Sequence, residues 1–182
     1  LSDALAIVAG ETAEKGFDDL CNELLTKREA LYQAFDRESY EPRLRLRLGL
    51  RERETLADVE AEIMETRADW QMLASALREG SKNDARLAAH LERACAGASP
   101  RECVDAYIRV FFTDKGAPRG VEKTKIITAG LCKAKPGLLE QMEAERDRLA
   151  GLIEKRKAAA VAERSLALVT LGDAIMQEYV AS

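Results

Sequence analysis

The sequence predicts an all-α fold, an irregular helical bundle of about seven to nine helices with a long C-terminal helix. Three observations carry that prediction. Hydrophobic residues make up 47% of the 182, but aromatics are only 5% and alanine, leucine and valine supply most of the rest, a balance that favours helices over strands. Apolar residues recur at helical spacing through most of the chain, and capping residues, glycines and prolines divide the runs. A chain of this length buries a real core, so 1–182 reads as a single helical domain.

The elements follow in order. Ser2 is expected to cap a short helix ending at Gly10, and Phe17, Leu20, Cys21, Leu24 and Leu25 continue at helical spacing through Leu31, Tyr32 and Phe35 until Pro42 interrupts the pattern. Arg43 to Arg51 alternates leucine with arginine or glycine, the period of a half-buried strand. It is nevertheless read as helix, because a lone strand would leave its backbone groups unpaired. Thr55 with Asp58 opens a helix carrying Leu56, Val59 and Ile63; Asp69 caps another through Trp70, Leu73 and Leu77 to Gly80. Ser81 caps a third with Leu87, Ala88 and Leu91 inward, ending at Gly97, and Ser99-Pro100 starts a fourth whose buried stripe is Cys103, Tyr107, Val110 and Phe111.

Thr113 to Gly120 is the clearest loop, since two glycines and a proline defeat both regular structures. A basic helical segment is expected to run to Lys135, and Pro136-Gly137 breaks it. Beyond that, Leu138, Met142, Leu149, Ile153, Ala160, Ala167, Leu171 and Ile175 trace the seam of one long helix that Gly151 and Gly172 would bend without ending. Leu1 is no initiator, and nothing terminates the helical pattern at Ser182. The chain therefore reads as a segment of a longer one.

Charge is unevenly placed. The net charge is only -4, which excludes a chain basic as a whole, but Leu1 to Glu41 holds ten acids against four bases while Arg43 to Arg53 holds five arginines against Glu52. Thr113 to Lys135 holds six bases against Asp114 and Glu122. The four cysteines form no CxxC pair and the single histidine is His90, so no metal site is expected and the cysteines read as buried free thiols of a reducing compartment. With no apolar run of membrane-spanning length and no signal segment, the chain reads as cytoplasmic with no membrane partner.

No catalytic residue is predicted. Gly116 to Thr124 imitates a phosphate-binding loop, but a Walker A motif needs its lysine directly after the second glycine; here two residues intervene before Lys123, and Pro118 removes an N–H from the cradle. One histidine among helices supplies no nucleophile–base pair. Glu143, Glu145, Arg146, Asp147 and Arg148 read as a solvated helix face. The basic loop 113–125 is the better candidate site. Its glycines permit close backbone approach to a phosphate, Thr113 offers a hydroxyl, and Lys115, Arg119, Lys123 and Lys125 would neutralise phosphate charge. Arg43, Arg45, Arg47, Arg51 and Arg53 are a second basic run, with pairing to the acidic N-terminal helices as the alternative.

The run Val110-Phe-Phe-Thr-Asp-Lys-Gly-Ala-Pro-Arg119, followed by lysines and a long Glu/Arg/Ala helix, resembles the AddA family of helicase-nuclease subunits of bacterial double-strand-break repair. Thr113, Gly116, Pro118 and Arg119 match the family pattern; Phe112 stands where leucine is usual and Gly120 where the family is often basic. Ala9-Gly10-Glu11, Gly16-Phe17-Asp18 and Gly80 to Asp84 are similar to its opening and middle turns, so the resemblance spans nearly the whole chain. It implies the helical insertion called subdomain 1B in superfamily 1 helicases of the UvrD and RecB kind, an outgrowth that touches duplex ahead of the fork. On that footing Thr113, Lys115, Gly116, Arg119, Lys123 and Lys125 are DNA-binding residues. ATP and Mg belong to the parent enzyme, an ATP-dependent helicase and exonuclease, whose other motor and nuclease domains and AddB-like subunit are the protein partners. The fragment itself would hold no cofactor. Two rivals stand beside it: a helical protein-interaction scaffold using its long helix as a partner surface, and a small enzyme needing a metal or cofactor that the sequence does not supply.

Overall fold

A computed structural model describes residues 2–10, 14–27, 37–65, 70–121 and 125–181. Within them the chain is all-helical, with one isolated bridge and no strand. The helices are α1 (Ser2–Ala9), α2 (Glu14–Thr26), α3 (Arg37–Arg47), α4 (Leu56–Glu65), α5 (Trp70–Arg78), α6 (Lys82–Ala96), α7 (Pro100–Phe111), α8 (Ala129–Ala134) and α9 (Leu138–Ala181). The expected stretch through Leu31, Tyr32 and Phe35 and the Asp69 cap lie outside the described residues. No described helix is long and apolar enough to cross a membrane.

The chain forms two compact units. One comprises Leu1–Leu56 with Lys155–Ser182, the other Ala57–Glu154, and α9 contributes to both. In the first, Ala4 and Val8 of α1 and Leu24 of α2 form a core with Ala167 and Leu171 of α9, and Phe17, Leu20, Leu168 and Ile175 pack around it. Ser2 is the first helical residue rather than the cap.

The arginine run does not alternate. Helix α3 passes through Pro42, which therefore does not interrupt it, and ends at Arg47, where Gly49 turns the chain at φ 74°. Helical rotation leaves Leu46 75% exposed while Arg45 is buried. Arg45 donates to Glu41 Oε1 through Nε at 2.9 Å and also reaches the Glu54 carbonyl. The buried Glu54 carboxylate accepts from Arg51 Nε at 2.7 Å and pairs with Lys155 Nζ at 2.8 Å. Burial alone would raise the Glu54 pKa, but these cations outweigh it and hold the carboxyl below its ordinary value. Arg45 and Arg51 of the run are thus tied to carboxylates, the first buried and the second exposed.

In the second unit the helix starts follow from their caps. Ser81 accepts from Asn83 N–H at 3.2 Å while Asp84 Oδ2 accepts from Ser81 N–H at 2.8 Å; Ser99 and Glu102 form the same reciprocal box ahead of Pro100. Between such caps α6 buries Leu87, Ala88 and Leu91 against α5 and α7, and α7 buries Val104, Tyr107, Val110 and Phe111. Tyr107 stacks on Trp70 at 4.4 Å and meets Phe111 edge-on at 5.4 Å. Removing one such fully buried large side chain forfeits roughly 3–5 kcal/mol.

Three expectations are corrected. None of the cysteines is buried: Cys95 is exposed and Cys21, Cys103 and Cys132 are half-buried, Cys95 and Cys103 standing in the end turns of their helices. Of the described residues of the basic segment before Pro136, only Ala129–Ala134 are helical. The charged face of α9 is not wholly solvated either. Arg148 donates to the carbonyls of Glu62 at 3.3 Å and Ile63 at 3.0 Å near the end of α4, and pairs with Glu145 at 2.6 Å, which also accepts from Tyr107 O–H at 2.7 Å. A cation on helix-terminal carbonyls is favourable, and the carboxylate raises the Arg148 pKa further. Helix α9 itself is continuous over 44 residues, with neither Gly151 nor Gly172 ending it, and the expected seam residues Leu138, Met142, Leu149, Ala167 and Leu171 are buried.

Candidate nucleic-acid interface

The loop is a closed hairpin-like turn built from backbone hydrogen bonds. After α7, buried Phe112 turns extended and bridges to Pro118. Thr113 N–H donates to the Ala117 carbonyl at 2.8 Å, Gly116 N–H to the Thr113 carbonyl at 2.8 Å, and Arg119 N–H to the Phe111 carbonyl at 2.8 Å. The Thr113 hydroxyl accepts from Ala117 N–H at 3.1 Å, so it braces the turn. Gly116 has φ 78° and Gly120 φ 76°, the left-handed region that favours glycine, and at Gly120 a Cβ would also meet Ile126 Cγ1 at 2.6 Å.

This scaffold sets where the cations stand. Lys115 is exposed at the tip beside Gly116, and Lys125 is exposed on the returning strand of chain. Arg119 is half-buried; its Nε donates to the Arg109 carbonyl at 3.3 Å, and its own carbonyl accepts from Arg146 Nη1 at 3.0 Å. Among the described residues, no carboxylate lies within ion-pair distance of Lys115, Arg119 or Lys125; Asp114 faces Arg109 instead, at 3.6 Å. Lys123 lies outside the described residues.

Between the loop and α6 lies a groove of about 780 Å³. Arg86 and His90 of α6 line one side, Thr113, Arg119 and Lys125 the other, over an apolar floor that includes Leu87 and Ile127. The structure thus brings Thr113, Arg119 and Lys125 to one groove and leaves Lys115 and Gly116 at the tip. Asp84 fixes the far end. It is buried, and besides Ser81 it accepts from Thr128 N–H at 2.9 Å and Thr128 O–H at 2.6 Å, pinning the chain after the loop to the start of α6. Burial would raise its pKa, but the hydrogen bonds from Thr128 and Ser81 prevail and hold it below the ordinary carboxylate value. It also lines the groove, but with its oxygens already accepting from Ser81 and Thr128.

Arg86, His90 and Asp84 are not among the site residues expected from sequence. A signal existed for the first two: Arg86, His90 and Arg93 follow one another at spacings of four and three, a polar stripe on α6 beside the buried Leu87 and Leu91. The local field is positive. Burial first, and then the charges of Arg93, Arg119 and Arg109, lower the His90 pKa, with Asp114 opposing them. Among the described residues no group of three or more His, Cys, Asp or Glu side chains is placed to hold a metal ion. Comparison with protein-family models, with curated proteins and with solved structures found no match.

Proposed function

We propose that this chain is a non-catalytic, DNA-contacting domain whose 113–125 loop grips the backbone of duplex DNA. The observation that supports the reading best is the placement of Lys115 and Arg119 on a hydrogen-bonded turn, with Lys125 exposed beyond it and no described carboxylate in ion-pair reach of the three. Cations so presented bind phosphates without reading bases. Among its described lining residues the groove has no Phe, Tyr or Trp and only the His90 ring, a sparse stacking platform for unpaired bases, which supports duplex over single strand. By the AddA resemblance, the domain serves a cytoplasmic ATP-dependent helicase-nuclease in double-strand-break repair, its ATP and Mg held by motor domains elsewhere in the parent.

Fluorescence anisotropy of a labelled duplex tests it, comparing the wild type with the double variant Lys115→Glu/Arg119→Glu. The expected dissociation constant at moderate salt is in the non-specific range of about 10⁻⁴ to 10⁻⁶ M, and charge reversal should abolish binding. Equal affinity for the two proteins would remove the loop from the interface.

A further inference from the structure

We infer that a phosphodiester of the bound backbone enters the groove between α6 and the loop and is contacted there by His90 as an imidazolium, so that DNA binding takes up one proton. This rests on the reading of the loop as a duplex contact and adds to it a residue and a proton. His90 lines the same groove as Arg86, Arg119 and Lys125. Arg93 Nη2 lies 3.1 Å from its Nδ1. A guanidinium can only donate, so Nδ1 is the acceptor and the proton of the neutral ring is on Nε2.

The surroundings keep the ring neutral while the groove is empty. Arg86 and Arg93 stand on its own helix, Arg109 on α7, and Arg119 and Lys125 on the loop side. Against them stand Asp114, exposed and facing Arg109, and Asp84, whose oxygens are occupied by Ser81 and Thr128. Glu122 and Lys123 lie outside the described residues. Burial and the charges of Arg93, Arg119 and Arg109 depress the His90 pKa below its ordinary 6.5. A phosphate in the groove reverses the balance: its negative charge favours the imidazolium, and it offers acceptors both to the ring and to the Arg93 guanidinium that the ring releases. The sign follows. The complex binds one more proton than the free protein between the two His90 pKa values, so affinity rises as pH falls through that window.

His90 is the chain's single histidine, which makes the window clean: carboxylates ordinarily titrate below it and thiols above. The experiment is duplex affinity at fixed ionic strength at pH 7.5, 6.5 and 5.5 for the wild type and His90→Gln, with the NMR titration of the His90 ring in free protein, with duplex and with sulfate, an anion that does not itself titrate there. Wild-type affinity should strengthen about three- to tenfold across the range, one proton setting a ceiling of tenfold per pH unit, while His90→Gln stays flat. The ring should titrate at higher pH with duplex or sulfate than in chloride. Duplex binding that is lost in Lys115→Glu/Arg119→Glu but flat with pH, with an unmoved ring titration, overturns the His90 assignment and leaves the loop reading standing. If duplex does not bind but sulfate still moves the ring, the anion groove stands and the duplex reading falls. A ring that neither anion moves sinks the groove whether or not His90→Gln folds.

Discussion

Replacing Asp84 with alanine should cost about 3–4 kcal/mol of stability, an unusually large effect for a charged side chain at the start of a helix. Three donors lose their acceptor at once: Ser81 N–H at 2.8 Å, Thr128 N–H at 2.9 Å and Thr128 O–H at 2.6 Å. A stranded donor costs roughly 1–3 kcal/mol, the low end applying where water can reach it. Ser81 is exposed and Thr128 borders the groove, so about 1 kcal/mol applies to each donor, with a further fraction for the lost helix cap. Trp70, the chain's single tryptophan, stacked on Tyr107, reports the unfolding of the Ala57–Glu154 unit by fluorescence in urea. With a slope of about 1–2 kcal/mol per molar urea the midpoint should fall by about 2 M. The pH dependence has a definite sign: the folded Asp84 pKa is depressed, so its contribution is complete above the unfolded value and is lost as pH falls through the folded one. Asp114→Ala is the control, since that carboxylate is exposed and 3.6 Å from Arg109. It should change stability by less than about 0.5 kcal/mol. A loss below about 1 kcal/mol for Asp84→Ala, or an equal loss in the control, would refute the view that Asp84 pins the chain after the loop.

Two further substitutions test the scaffold around the groove. Gly120→Ala combines a positive φ with a Cβ 2.6 Å from Ile126 Cγ1, whereas Gly116→Ala has the positive φ but open space, so thermal unfolding should show about 1 kcal/mol lost at Gly116 and clearly more at Gly120. Arg148→Ala removes the donors to Glu62 and Ile63 and leaves Glu145 with only Tyr107 as a donor of those described, for a loss of about 2–3 kcal/mol in the same urea assay; a change within 0.5 kcal/mol, of order a surface pair, would show that the contact contributes nothing.

Local chemistry made much of this molecule legible in the sequence. The boxes at Ser81 and Ser99 need only residues three apart, the turn at 113–120 only its glycines and proline, and the long helix only a repeat of apolar positions. What escaped were features decided by distant partners. Glu145 and Arg148 have the spacing of a solvated pair, and only Tyr107 and the end of α4 bring them inward. Arg45 is buried because Glu41 and the Glu54 region meet it, which no alternation of arginine and leucine encodes. The groove is the clearest case: Arg86 and His90 lie more than a helix away in sequence from Arg119 and Lys125, and the Asp84–Thr128 hydrogen bonds that hold the two sides together span 44 residues.

The most direct measurement is the dependence of duplex affinity on salt concentration. If Lys115, Arg119 and Lys125 each neutralise a phosphate, log affinity should fall with log salt at a slope of about -3, roughly a 40-fold weakening from 50 to 200 mM, and the slope should shrink by about 1 in Lys115→Ala. A wild-type slope near zero, or one slope shared by both proteins, would contradict the assignment of this loop to the DNA backbone.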